Sequence, residues 1–164
     1  MKAGRKNKRT HGSSNMPPQE ILLEALRLLA DSGADYIIVG GVAANLHGLS
    51  RGTKDIDLLI PKDLENTEKI LEALGGLTCG IAREISAEEV ISKPFTIIGD
   101  IPRVDLLLCA GKLSYKEASK NKEVRILNGI KVTFVSLDDL IRSKQTDRPN
   151  DAIIIAELKK LKKI

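Results

Sequence analysis

Tryptophan is absent from this 164-residue chain, which holds only two phenylalanines and two tyrosines. Reading single-stranded nucleic acid by base stacking requires aromatic platforms, so that mode of binding has little to work with. No apolar run reaches the roughly 18 residues of a membrane span, and no membrane partner is expected. The N-terminus is charged and lacks an apolar stretch, which argues against a secretory leader. Cysteine is scarce too: Cys79 and Cys109 share no metal-type spacing with each other or with a histidine. They read as reduced, packed thiols of a cytoplasmic protein.

Acid is missing from residues 1–15, where Lys2, Arg5, Lys6, Lys8 and Arg9 stand. Taking those five cations out of the net charge of +4 leaves −1 for the remainder, so the high pI belongs to a tail. Residues 1–16 are polar, basic and rich in glycine and serine. They read as a disordered, solubilising extension rather than an arm for RNA or an acidic partner.

What the chain has in quantity is isoleucine, leucine and valine, enough for one core over residues 17–164. Ile21, Leu22, Ala25, Leu28 and Leu29 recur at helical spacing between Pro18 and Gly33. A short strand over 36–39 leads through Gly40-Gly41 into a helix over 42–47. A second strand covers 55–60, and Asp63 caps a helix ending at Gly75-Gly76. Ser86 and Glu89 have capping-box spacing, as do Ser136 and Asp139. Strands are expected over 95–98 and 103–109, a short helix over 114–120, and a hairpin turning at Asn128-Gly129. A last helix starts after Pro149. The order predicts an α/β (α+β) domain with a mixed sheet of about five strands flanked by helices.

Two aspartates, Asp55 and Asp57, open the apolar strand Asp55–Ile60, although aspartate is depleted in strands. Residues i and i+2 of a strand share a face, so their carboxylates project side by side, about 7 Å apart at the backbone. Such a pair repels unless a cation or a proton intervenes. Oxygen donors on a rigid strand suit Mg²⁺. Asp105 stands inside another apolar run, RVDLLLC. If the two strands are neighbours, the three carboxylates can hold two ions about 4 Å apart, the arrangement for in-line displacement at phosphorus. Gly40-Gly41, between a strand and a helix, offers room and backbone N–H groups to a phosphate. Arg51 and Thr53, just ahead of Asp55, are placed to contact phosphate oxygens.

Chain direction separates this pattern from other Asp-x-Asp enzymes. In haloacid-dehalogenase-like phosphatases the apolar strand precedes the aspartates; here Leu58, Leu59 and Ile60 follow them. Glycosyltransferases with such a motif usually need a longer chain. Val39-Gly40-Gly41, a thirteen-residue spacer and Asp55-Ile56-Asp57 instead resemble the signature of the DNA-polymerase-β-type nucleotidyltransferase superfamily. Within it, the string GGVAANLHGLSRGTKDID looks like the small nucleotidyltransferases related to AbiEii toxins. The likeness extends over about residues 20–160 and includes SLDDLIRSKQTDRPND.

That resemblance implies a nucleotidyltransferase fold and a role for each matching residue. Asp55 and Asp57 would bind two Mg²⁺, with Asp105 completing the metal site and helping to deprotonate an acceptor hydroxyl. Gly40 and Gly41 would cradle a nucleoside triphosphate, and Arg51 and Lys144 would neutralise phosphate charge. The implied partners are the triphosphate and an acceptor that is a small molecule, a protein or an RNA. A toxin–antitoxin partner or an oligomer is compatible with the group. The rival expectation is a non-catalytic nucleotide-binding or antitoxin-type module on the same fold. His47 is read equally as a packed or capping residue and as a substrate contact. Arg148 and Asp151 read as an ion pair at a helix start, and Asp138-Asp139 as charge at a helix N-terminus.

Overall fold

The computed structural model describes residues 18–163. The tail expected over residues 1–16 lies outside them. The chain begins with helix α1 (Pro18–Asp31), strand β1 (Ile37–Val39), helix α2 (Gly40–Leu46), strand β2 (Ile56–Leu59) and helix α3 (Leu64–Leu74). After a 3-10 turn at Ile81–Glu84 come α4 (Ala87–Ile91), β3 (Phe95–Ile98), β4 (Val104–Leu107), β5 (Cys109–Ala110), β6 (Leu113–Ser114) and α5 (Tyr115–Ser119). The remainder is β7 (Glu123–Leu127), β8 (Ile130–Phe134), α6 (Leu137–Ser143) and α7 (Pro149–Leu161).

Local signals set most of the boundaries. Asp63 Oδ1 accepts the Asn66 N–H at 2.8 Å, Ser86 Oγ that of Glu89 at 3.2 Å, and Ser136 Oγ that of Asp139 at 3.2 Å. Each cap satisfies a donor the helix cannot, a contribution of about 1 kcal/mol. Asn128 and Gly129 take φ of 48° and 79°, the paired left-handed turn that matches the twist of β7 and β8. Asp138 and Asp139 lie in the first turn of α6, as expected, where the helix dipole favours negative charge. Asp138 also pairs with Lys162 just past α7, drawing the two C-terminal helices together.

Six strands form the main sheet, in the order β3-β4-β2-β1-β8-β7. β1 runs antiparallel to β2 and parallel to β8, and β2 runs parallel to β4. The edge strands β3 and β7 are antiparallel to their neighbours. β5 and β6 make a separate two-stranded sheet that periodicity did not reveal, because two residues carry no period. Consecutive residues Leu58 and Leu59 point to opposite faces, and both are fully buried, so the centre of the sheet is covered on both sides. Ala25 and Leu29 of α1, Ile70 and Leu74 of α3 and Phe134 of β8 complete the core. Each large side chain there contributes about 1.5–3 kcal/mol by leaving water.

The cysteines depart from expectation. Both are free, but both are exposed rather than packed. Cys79 falls in the turn after α3 and Cys109 in the short strand β5, neither of which belongs to the covered centre of the sheet.

Asp100 carries the connection that aims β4. Its carboxylate accepts backbone N–H groups of Cys79 at 2.8 Å, Ile101 at 2.7 Å and Ile81 at 3.2 Å. The β3–β4 turn is thereby tied to the end of α3. Burial alone would raise this carboxyl, but the three donors outweigh it and hold it below its ordinary value. A depressed carboxyl stabilises the fold above its unfolded pKa, and that contribution is lost as pH falls through the folded value. Asp100→Ala should therefore cost about 2–4 kcal/mol in urea unfolding at pH 7, since three partly buried backbone donors lose a charged acceptor. The gap between wild type and variant should begin to shrink as the pH falls below the ordinary aspartate value, and close further as it passes through the depressed value of folded Asp100.

Candidate active site

Sheet register assembles the carboxylates. Val39 of β1 pairs with Asp57 of β2, Asp57 pairs with Asp105 of β4, and Asp105 pairs with Ile97 of β3. Directly paired residues face the same way, so these four form one row across the sheet. Asp55 and Arg103 stand two residues back, each just ahead of its strand, where the Ile56 N–H still donates to the Arg103 carbonyl at 3.0 Å. The condition set by the sequence, that the strand of Asp105 should neighbour that of Asp57, is met in direct register.

Why Asp57 fits there is a matter of clearance. Gly40 has φ +68°, and a Cβ on it would lie 2.1 Å from Asp57 Oδ2. The carboxylate occupies the space where a side chain would be. Gly41 makes a similar allowance: its Cβ would lie 3.0 Å from Thr53 Oγ1. Thr53 Oγ1 in turn donates to the Asp55 carbonyl at 3.2 Å. The glycine pair thus makes room for the residues that carry and support the motif's carboxylates. Asn45 fixes the linker between them, exchanging hydrogen bonds with the Arg51 backbone at 2.9 and 3.0 Å.

A cleft of about 540 Å³ opens over the row. Gly40, Asp57 and Asp105 line it from the sheet, with Phe95 and Cys109 nearby. Lys144, Thr146, Arg148 and Asp151 line it from the segment joining α6 to α7. Of the residues singled out in the sequence, Gly40, Asp57, Asp105 and Lys144 therefore meet in one cleft. Asp55, Gly41, Arg51 and Thr53 are not among its lining residues; Asp55 and Arg51 are exposed beyond the strand end.

The charges are unevenly satisfied. Asp57 is pushed up chiefly by its burial, then by Asp105 and Asp55, while Lys144 and Arg103 pull it back in some measure. Asp105 is held by Arg103, which donates from Nε to Oδ1 at 2.8 Å and from an Nη to Oδ2 at 3.0 Å. Sequence reading missed Arg103, although its i−2 spacing in a strand places it on the face of Asp105. Among the described residues no three carboxylate, histidine or cysteine groups stand close enough to enclose an ion. The paired carboxylates of Asp57 and Asp105 are oxygen donors of the type a hard divalent cation takes together with substrate oxygens and water.

Two other expectations resolve differently. Arg148 and Asp151 do not pair; Asp151 is buried and takes its hydrogen bond from the Thr146 hydroxyl, presented by the turn before α7. Both residues belong to the cleft wall. His47 is the packed histidine of the two readings: its Nε2 lies 2.7 Å from the Val135 carbonyl and its ring meets Phe134 edge-on at 5.1 Å.

No family model matches the chain, and no curated relative matches it. Among solved structures it is similar to a candidate nucleotidyltransferase from Thermotoga maritima, at a TM-score of 0.51 and 16% identity, over 88% of this chain and 90% of that one. The likeness spans nearly the whole of both chains, and the mixed sheet flanked by helices is a nucleotidyltransferase fold. No helix among the described residues is long and apolar enough to cross a membrane.

The clearance at position 40 can be measured against a control. Gly33 has the same φ of +68° with nothing within 4 Å of its missing Cβ. Gly33→Ala should cost about 1 kcal/mol, the backbone penalty alone. Gly40→Ala carries that penalty and also collides with Asp57. Chemical denaturation should show it less stable than Gly33→Ala by about a further 1–3 kcal/mol.

Proposed function

We propose that this protein is a nucleotidyltransferase that moves a nucleoside monophosphate from a triphosphate to an acceptor hydroxyl and releases pyrophosphate. The observation that carries the reading is the direct pairing of Asp57 with Asp105 on adjacent strands, with Gly40 beneath Asp57 and Lys144 across the cleft. The narrower likeness to AbiEii-related proteins rests on the motif string alone.

Asp55, Asp57 and Asp105 would hold two Mg²⁺, which supply Lewis-acid stabilisation of the charge on the transferring phosphoryl group. The remaining work belongs to the chain. Asp57 sits where a Cβ at position 40 would be, so Gly40 is what allows its carboxylate this place beside the phosphate-binding backbone. Lys144 stands where its charge already acts on Asp57, and it offsets the triphosphate as pyrophosphate departs. The backbone at Gly40-Gly41 approaches the phosphates closely because no side chain intervenes. Asp105, at the acceptor side of the row, takes the hydroxyl proton as the new phosphate ester forms and the bond to pyrophosphate breaks. Arg51 is exposed in the linker ahead of Asp55, outside the cleft lining, and would meet phosphate oxygens only where they extend past the strand end. Catalysis of this kind is mainly positioning and charge stabilisation, which a small domain supplies.

The acceptor is a small molecule, a protein or an RNA, and the open cleft with its wall of Arg148 and Thr146 admits any of them. The non-catalytic alternative differs in one respect: it binds nucleotide without transferring it.

Incubation with α-labelled nucleoside triphosphates, Mg²⁺ and cell extract should label an acceptor fraction. Asp57→Asn should reduce that labelling by at least about 10²-fold, as loss of a transition-state contact does. A triphosphate at about a hundred times its Kd should also stabilise wild type by about 2.7 kcal/mol in the presence of Mg²⁺, and Asp57→Asn much less. Stabilisation without labelling would favour the non-catalytic module; neither effect would overturn both readings.

A further inference from the structure

Arg103 and Asp105 lie two apart on the same face of one strand segment and form a two-pronged ion pair. Both carboxylate oxygens of Asp105 are engaged, at 2.8 and 3.0 Å. The Asp105 side chain is 18% exposed, whereas that of Arg103 is 44% exposed. One partner is therefore held in the wall of the cleft while the other reaches in from solvent. Lys144 and Arg103 act on Asp57, by contrast, through their charge alone. Of the two paired carboxylates, then, one is seated on glycine and one is covered by a guanidinium.

A planar guanidinium bound in this way neutralises the carboxylate and orients it toward itself. It also puts a positive charge where a divalent cation would arrive. Arg103 is long and half exposed, with solvent to swing into, and the other charges that act on it are the carboxylates Asp55 and Asp57.

We propose that Arg103 is a resident counter-ion for Asp105, displaced when a divalent cation binds, so that the Asp105 half of the metal site is weak until substrate phosphates arrive to receive the guanidinium. This rests on the nucleotidyl-transfer reading above. Arg103 is a positioning residue: it governs when Asp105 becomes a ligand and a base, and it exchanges a carboxylate partner for a phosphate one. The same fork geometry serves both.

The experiment is Mn²⁺ binding to the full chain without nucleotide, followed by electron paramagnetic resonance of the free ion. Arg103→Gln should bind the metal about tenfold more tightly than wild type, since one opposing charge and one competing ion pair are removed. Arg103→Lys keeps the charge but lacks the fork, and its affinity should fall between the two. In wild type, the Arg103 Nε–H resonance should shift on addition of Mg²⁺, reporting release from Asp105. Weaker binding by Arg103→Gln than by wild type would overturn the proposal, because Arg103 would then be holding Asp105 in its ligating pose. Equal affinity of Arg103→Lys and wild type would overturn it as well, leaving only a charge effect. Asp57→Asn separates the two levels. If it binds Mn²⁺ as wild type does, the metal assignment fails and nucleotidyl transfer fails with it. If it loses the metal while Arg103→Gln gains nothing, only the counter-ion role falls.

Discussion

An atom that is missing decides where the carboxylates of this protein can stand. With a Cβ at position 40, the Asp57 carboxylate would have to turn out of its present place, because 2.1 Å is far inside any non-bonded contact. Without it, the aspartate rests against the backbone at the β1–α2 junction. Register then carries that placement outward. Val39 sets Asp57, Asp57 sets Asp105, and the Asp100 clamp keeps β4 in line to receive it. The cleft has its orientation because a glycine and an aspartate, far apart on the motif, occupy one volume between them.

Much of the fold was legible in the residues because the signals are local. Asp63, Ser86 and Ser136 announce helix starts by chemistry that acts within four residues, and Asn128-Gly129 announces a hairpin by its backbone freedom. Alternation and apolar runs located the main strands. What stayed hidden was mostly non-local. Nothing in the sequence says that β2 lies beside β4, since parallel pairing across an intervening segment leaves no short-range trace. All six strands of the main sheet were legible, whereas the small β5–β6 hairpin escaped, because strands of two residues carry no periodicity.

The site shows the same division. Asp57, Asp105, Gly40 and Lys144 were singled out by residue type and direction, and the fold brings them into one cleft. The purpose of the glycines was only half seen: room for phosphate was expected, whereas the room is taken first by Asp57 and Thr53. Arg103 was available to the same i, i+2 reasoning that linked Asp55 to Asp57, and attention to acids alone passed it by. Arg148 and Asp151 were paired on helix spacing, but Thr146 presents its hydroxyl from a turn that no spacing rule describes. Charged residues near an acidic centre therefore need to be read as a set of both signs.

The two walls of the cleft come from opposite ends of the chain. The sheet wall is begun by β1 and β2, while Lys144, Arg148 and Asp151 belong to the last helical segment. During synthesis the N-terminal region emerges first and begins to organise before the rest is made. A nascent chain would thus present the aspartates of β2 without the opposing lysine. Under the proposed function, competence to hold a polyanion requires that α6 and α7 have been made and have docked on the sheet wall.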